Sequence, residues 1–557
     1  MNASVQIVPP TPGAVPAKAT PSGDKAHPPE ATVRMSIGSC MIWTQRMLQA
    51  LERGNDGRKW HTLIDKIYAP ANLRSALSTV TQRKTSPGID GRSAASVARE
   101  AEAEVATLER LLREGKYEPQ PVKRVWIPKP GSRDKRPLGI PTIRGRIVET
   151  ALRDVIEPIF EHSFAEHSYG FRPGRSAKQA VARVEELLHE GRHWVVDADI
   201  KGYFDNIPHA QLMDRVSDKI SDSRVLGLIE KMLRQGVMET MNDWKPTEQG
   251  TPQGAVISPL LANIYLDPLD QQMDAQRRDM IRYADDFVIL CKTQTEAEET
   301  LEQVRAWMTK AGLTLHPEKT RIVDATQRGG FDYLGWHFER GYKWPREKSQ
   351  KKLKDSIRER TRRHNGHSLK TIITRVNQVV RGWGNYFQGG VSTVSPKIDG
   401  WIRGRLRSIL RVRHKRHGRG RGRDHNRYPN DYFAERGLTS LYQVTHPTAS
   451  NLTQVNKHCQ HSSIGEPDAG NPPVRFGGRG GATQCAVPTP YGIEVWSDRS
   501  CDLGGYLREA VRSYGGRWQW LIAFWRSRLR GPAGAPSSGV DSCRVTQTTG
   551  SVLAMRS

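Results

Sequence analysis

The chain is short of acid: 59 Asp+Glu stand against 85 Lys+Arg in 557 residues, leaving a formal net charge of +26. That imbalance favours a polyanionic partner, nucleic acid or an anionic membrane surface. No apolar stretch reaches the length that spans a bilayer, so the membrane alternative weakens and no stable membrane association is expected. The six cysteines, Cys40, Cys291, Cys459, Cys485, Cys501 and Cys543, never form a CxxC pair. That spacing argues against a structural zinc site and against a disulfide framework, and makes a reducing cytoplasm the expected compartment. Residues 1–40 hold Pro, Ala and Ser but no signal-peptide apolar core, and read as a disordered leader. There is no internal repeat.

What is present is a succession of short periodic segments. "VAREAEAEVATLERLLREGKY" places Val105, Leu108, Leu111 and Leu112 on one helical stripe. "QPVKRVWIPKPGSRDKRPLGIPT" predicts two short strands around a Gly-Ser turn. "RIVETALRDVIEPIFE" and "SAKQAVARVEELLHEG" are helical, "HWVVDADIKGYFDNI" is a strand entering a turn, and "GTPQGAVISPLLANIYLDPLDQQM" is a turn opening a long helix. Strands with intervening helices predict an α+β layer architecture. After about Tyr342 the strand signals stop, and Leu369, Ile372, Ile373, Val376, Val379, Val380, Trp383 and Tyr386 follow helical steps. A domain boundary is expected at 340–345. From Arg403 to Arg423 ten of 21 residues are Lys or Arg and none is acidic, a charge run that is either an RNA contact or a solvated tail. Residues 446–557 are rich in Gly, Pro, Ser and Thr and are expected to be an irregular basic tail.

The chemistry concentrates in "IRYADDFVIL" (281–290). Asp285 and Asp286 sit between apolar runs that read as hairpin arms, where two like charges are costly unless compensated. One reading is a type I′ turn, which favours Asp. A second acidic strand end favours another. In "VVDADIKGYFDNI", Asp197 and Asp199 share a strand face. If the two strand ends are neighbours, Asp199 and Asp285 converge with the backbone carbonyl of Ile200. Such hard oxygen donors suit Mg²⁺, which keeps waters and takes substrate phosphates. Two ions about 3.5–4 Å apart would stabilise the attacking 3′-oxygen and the leaving pyrophosphate of an in-line displacement.

These strings belong to a longer ordered set: "KTSPGIDG" (84–91), "RPLGIPT" (136–142), "SYGFRPGRSA" (168–177), "VVDADIKGYFDNI" (195–207), "GTPQGAVISPLLANIYL" (250–266), "IRYADDFVIL" (281–290), "GLTLHPEKTRIV" (312–323) and "FDYLGWHF" (331–338), with "RGWGNYF" (381–387) beyond. The set resembles the reverse transcriptase/maturases encoded by bacterial group II introns. The resemblance implies a right-hand polymerase, with fingers and palm over 41–340 and an α-helical thumb or maturase region over 345–445. It implies RNA-directed DNA synthesis from an RNA template and a DNA or RNA primer, using deoxynucleotides and Mg²⁺. Further partners would be the intron RNA and a DNA target, with nucleoid association when on DNA; set against the family, 446–557 would be a candidate DNA-binding remnant that lacks the paired Cys and His of its HNH endonuclease domain.

Residue roles follow from the same resemblance. Asp199, Asp285 and Asp286 are the expected catalytic carboxylates, with Asp286 auxiliary and the Ile200 carbonyl an additional metal donor. Phe204 would lie under the incoming sugar and reject a 2′-hydroxyl by bulk. Lys129 and Arg136 would clamp the triphosphate, the Arg fork suiting phosphate oxygens. Gln253 would hold the nucleotide, and Lys319 would lie near the triphosphate as an electrostatic aid to departure. Arg172 and Arg175 are expected on template phosphates. Arg381, Arg403, Arg405 and Arg411 are the expected RNA contacts of the thumb, whereas Trp383 and Tyr386 read as packing. Competing readings are a domesticated reverse transcriptase in phage defence or a CRISPR-associated system, and a non-catalytic RNA-binding splicing factor.

Overall fold

The computed structural model describes residues 43–447, apart from 53–57, 83–84, 129–134, 240–243, 417, 419 and 421, together with 484–488 and 494–498. Its strands in chain order are β1 (Val122–Pro128), β2 (Lys135–Ile140), β3 (Trp194–Asp199), β4 (Val237–Met238), β5 (Trp244–Lys245), β6 (Asp279–Tyr283), β7 (Asp286–Cys291), β8 (Arg321–Asp324), β9 (Phe331–Tyr333), β10 (Trp336–Glu339) and β11 (Tyr342–Pro345). The helices that matter below are α1 (Ile143–Glu161), α2 (Ala177–His189), α3 (Ser258–Ala275), α4 (Gln294–Lys310), α5 (Glu347–Arg360), α6 (Leu369–Tyr386) and α7 (Val394–Arg413). Helices and antiparallel sheets mix as an α+β fold.

The sheet that positions the site is four-stranded, ordered β6-β7-β3-β8, with antiparallel neighbours. Its register sets Val195 opposite Leu290, Asp197 opposite Val288 and Asp199 opposite Asp286. Side chains alternate between faces. Val196, Ala198, Phe287 and Ile289 enter the larger core with residues of α3 and α4. Val195, Val288 and Leu290 enter a second core with α2, Phe331, Tyr333 and Trp336. Strand β7 is thus covered on both faces, which is why "FVILC" is continuously apolar. Burial of a side chain such as Phe287 contributes about 2–3 kcal/mol. On the second face the apolar residues give way to Asp197, Asp199 and Asp286 at the strand end, so one face changes from core to acid within a few residues.

Capping places the flanking helices. The Thr142 hydroxyl accepts from Gly145 N at 3.0 Å to start α1, and Ser368 accepts from Thr371 N at 3.2 Å to start α6; such caps contribute about 1 kcal/mol each. Helices α5, α6 and α7 pack around a third core that includes Leu353, Ile357, Ile372, Val376, Ile402, Leu406 and Ile409.

Three expectations need adjustment. Strand β11 pairs with β10 from Trp336↔Pro345 to Glu339↔Tyr342, so strand structure runs through the expected 340–345 boundary. Residues 403–413 complete α7 and bury Leu406, Arg407, Ile409 and Leu410, which removes the solvated-tail reading for that half of the run. The expected irregular stretch 446–557 lies mostly outside the described residues, but 484–488 and 494–498 form a two-stranded sheet. Among the described residues no helix is long and apolar enough to cross a membrane.

Candidate active site

The β6–β7 hairpin closes through Ala284 and Asp285, between the paired residues Tyr283 and Asp286. Ala284 has φ of 60°, and Asp285 is not in the positive-φ region. The turn is therefore not the type I′ that the Asp pair suggested, which needs positive φ at both central positions. Its shape is imposed from below. Arg282, 1% exposed, donates from Nη1 to the Ala284 carbonyl at 2.9 Å and to Asn263 Oδ1 at 3.0 Å. Its Nε reaches both Asp270 carboxylate oxygens, at 2.8 and 3.0 Å. Asn263 Nδ2 donates in turn to the Gly170 carbonyl at 2.8 Å. Gly170 lies against the turn so closely that a Cβ there would be 2.9 Å from the Tyr283 carbonyl carbon and nearer still to Ala284 N.

The acidic cluster is electrostatically stressed. Burial pushes the Asp286 carboxyl up to about 8, and the charges of Asp285, Asp197 and Asp199 add to the rise. Burial likewise raises Asp285, with Asp199 adding and Arg136 and Lys319 opposing. Asp197 is pushed up to about 6 by burial although Arg321 holds it at 3.2 Å. Lys319 Nζ lies 2.5 Å from Asp199 Oδ2. Its segment is brought there because His316 N donates to Asp199 O at 2.8 Å and Lys201 N to Thr314 O at 2.9 Å.

Do these residues fit a divalent cation? The donors are hard oxygens, their repulsion calls for positive charge, and Asp199 already holds an ammonium. Among the described residues no three His, Cys, Asp or Glu side chains converge into a complete ligand cluster. A Mg²⁺ ion takes one or two carboxylates and completes its sphere with water and substrate phosphates. Asp199 and Asp285 are the fitting donors, with Asp286 beside them.

The remaining predicted residues divide. Phe204 is half-buried, its ring edge-on to Tyr203 at 5.6 Å. Gln253 Nε2 donates to Asp205 Oδ2 at 3.2 Å, and Gly139 N donates to Gln253 O at 2.6 Å, joining the "TPQG" turn to β2. Gly254, with φ of 109°, permits that approach, since a Cβ would meet Gly139 O at 2.5 Å. Arg136, on β2, is near enough to act on Asp285 and Asp205. Lys129 lies outside the described residues.

Arg172 is a correction. Expected on the template, it is buried, donating to the carbonyls of Ala165 at 2.5 Å and Ser168 at 2.7 Å and pairing with Glu161. Its guanidinium is consumed by carbonyls that would otherwise be unsatisfied. Arg175 is half-buried over the Tyr169 ring. Arg381 is exposed, touching Thr439 Oγ1 at 3.2 Å. Arg403 is half-buried, and its Nε has no hydrogen-bond partner among the described residues. Two more of the expected RNA contacts have partners within the helical region. Arg405 donates to Thr361 Oγ1 at 2.6 Å and covers Trp401, and Arg411 pairs with the buried Asp424 at 2.5 Å. Both are half-buried, and these contacts occupy part of each guanidinium. Tyr386 is buried and Trp383 packs on Phe387, as expected of packing residues.

Sequence reasoning missed Asp270, Asn263, Gly170 and Arg282. The available signal was Arg282 itself, a cation inside an apolar strand, which requires a buried partner. It also missed Glu149, whose Oε2 accepts from Val256 N at 2.5 Å behind the "TPQG" turn.

Comparison with known proteins places the chain in a family. Residues 127–338 match the family described as reverse transcriptase (RNA-dependent DNA polymerase), and residues 350–428 match the group II intron, maturase-specific domain. Protein YkfC of Escherichia coli is 33% identical over 333 residues, covering 52% of this chain and 86% of that protein. The group II intron-encoded protein LtrA of Lactococcus lactis subsp. cremoris is 43% identical over 171 residues, 31% of this chain and 28% of that protein. A solved Cas6-RT-Cas1–Cas2 assembly aligns with a TM-score of 0.30 at 26% identity, over 45% of this chain and 43% of that one. With the acidic hairpin, the ordered blocks and the maturase-specific helices all on one chain, this protein belongs to the group II intron-encoded reverse transcriptases/maturases.

Proposed function

We propose that the protein copies an RNA template into DNA at the β3–β7 strand ends, and that its helical region grips intron RNA to assist splicing and mobility. The observation that carries the first half is the pairing of Asp199 directly opposite Asp286, with Asp285 at the adjoining turn. Residues 41–340 would act as fingers and palm and 345–445 as the thumb. Asp199, Asp285 and the Ile200 carbonyl would hold Mg²⁺, which when bound stabilises the developing charge on the attacking 3′-oxygen and the departing pyrophosphate. Asp286 lies behind them, its carboxyl pushed up to about 8 by burial. Arg136 and Gln253 would orient the deoxynucleotide from the β2 side, Phe204 would exclude a 2′-hydroxyl, and Lys319 would lie near the triphosphate as an electrostatic aid to departure. The RNA would be the intron that encodes the protein, with a DNA target for insertion, in the cytoplasm and on the nucleoid.

Primer extension on an RNA template with Mg²⁺ and deoxynucleotides tests the catalytic half. Asp199→Ala and Asp285→Ala are expected to lower the rate by about 10³-fold or more while the protein still binds template-primer. Wild-type synthesis by either variant removes the metal assignment. For the maturase half, a chain lacking 345–445 should no longer promote intron splicing; undiminished splicing contradicts it.

A further inference from the structure

Phe171 is an aromatic side chain where the backbone disfavours one. Its φ is 59° and its side chain is 44% exposed. A bulky residue in the left-handed region is an outlier, and at 44% exposure burial compensates only in part. The flanking residues allow no relaxation. Tyr169 N donates to Arg282 O at 2.8 Å and Arg282 N to His167 O at 3.0 Å, so the segment is stitched to β6. Gly170 is pinned by Asn263 and by the Ala284 backbone, and Arg172 is held by Glu161 and two carbonyls. Backbone strain that is over-determined in this way concentrates at functional positions. Glycine would adopt the same φ freely, so the ring is what the strain retains.

That ring touches two groups of the site. It stands edge-on to Phe204, with centroids 6.4 Å apart and planes at 80°, and lies 6.5 Å from the ring of Tyr283. Phe204 thereby contacts two rings edge-on, the buried Tyr203 and Phe171. Tyr283 is two residues before Asp285, so Phe171 links the Phe204 ring to the acidic hairpin.

We infer that Phe171 is a positioning residue for nucleotide selection, fixing the Phe204 ring against the sugar of the incoming nucleotide so that deoxyribose fits and ribose does not. This rests on the reading of Phe204 as the surface under that sugar. An aromatic edge contact is worth only a modest preference, and selection between two sugars is a difference of small terms. Loss of Phe171 should therefore weaken discrimination without abolishing synthesis.

The experiment uses the full chain in primer extension with deoxynucleotides and ribonucleotides measured separately. Phe171→Gly is expected to lower the ratio of kcat/KM for deoxynucleotide over ribonucleotide by about five- to tenfold, chiefly by improving ribonucleotide use. Its melting temperature should be at or above wild type, because glycine releases the strain. Phe171→Tyr, which keeps the ring, should retain wild-type selectivity. Phe204→Ala is the control and should lose selectivity further. Wild-type selectivity in Phe171→Gly alongside lost selectivity in Phe204→Ala overturns the inference and leaves the sugar reading standing. Wild-type selectivity in Phe204→Ala overturns both. Should the glycine variant not fold, Phe171→Leu, which keeps bulk without an aromatic edge, takes its place: reduced selectivity supports the inference and wild-type selectivity overturns it.

Discussion

Gly170 makes no chemical contact with substrate in the proposed reaction, yet it decides where Asp285 can be. The turn that carries Asp285 rests on the Gly170 backbone, with no room for a methyl group between them. From the other side, Arg282 ties the Ala284 carbonyl to Asn263 and Asp270, and Asn263 returns to Gly170. The loop of contacts is closed and buried, so the turn cannot yield without breaking a charged hydrogen bond, and removing one member of such a pair costs about 3–5 kcal/mol. Gly170→Ala is therefore expected to displace the turn, not to unfold the sheet. DNA synthesis should fall by about 10²-fold or more, in line with the sensitivity of a reaction to misplacement of about 1 Å, while circular dichroism and template-primer affinity stay near wild type. Unimpaired synthesis would show that the turn has slack that this packing does not display.

Helix α1 supports the nucleotide side of the cleft in a comparable way, through one buried carboxyl. Glu149 is pushed up to about 7 by burial, partly offset by the amides of Val256 and Ile257. Between an unfolded value of about 4.3 and that folded value, the native chain keeps a proton that the unfolded chain has released. Stability from this group is thus fully present below the window and lost as pH rises through it. Glu149→Gln keeps an oxygen for Val256 and has no charge to bury. It should melt with wild type near pH 4.5 and above it near pH 8, by on the order of 3 kcal/mol at most. Identical melting at both pH values would refute the assignment. Elements of this kind also separate what the sequence discloses from what it hides. Strands β3 and β7 are legible because alternation and an apolar run are local signals, and their acidic ends are visible with them. The partner of Arg282 is not, since Asp270 lies on α3 and no periodicity relates a strand position to a helix end. Arg172 misleads for the same reason: its inward bonds are to Ala165 and Ser168 carbonyls, and backbone groups carry no sequence signature. Strand β11 escapes because four residues ending in Pro345 are too short to show a period.

For the whole molecule the question is how much of a net charge of +26 faces RNA. A basic run counted from sequence overstates the answer. Arg407 is buried, donating to Tyr428 O at 2.8 Å, and Arg411 is paired with Asp424, so α7 offers fewer phosphate contacts than its arginines suggest. Arg381 is exposed on α6 and bonded only through Nε to a hydroxyl in the described contacts. The two positions should separate cleanly in a salt titration. Binding of a structured group II intron transcript, followed across KCl concentrations, has a log–log slope of about −0.9 per duplex phosphate neutralised. Arg381→Ala should weaken binding and make that slope shallower by about one contact. Arg411→Ala should leave the slope unchanged and lower the stability of the α5–α7 region instead, by about 1–3 kcal/mol once the partial exposure of the arginine is discounted. Denaturant melting of both variants beside the titration distinguishes the cases. If Arg411→Ala flattens the slope while melting like wild type, the Asp424 pair opens on RNA and Arg411 belongs to the binding surface after all.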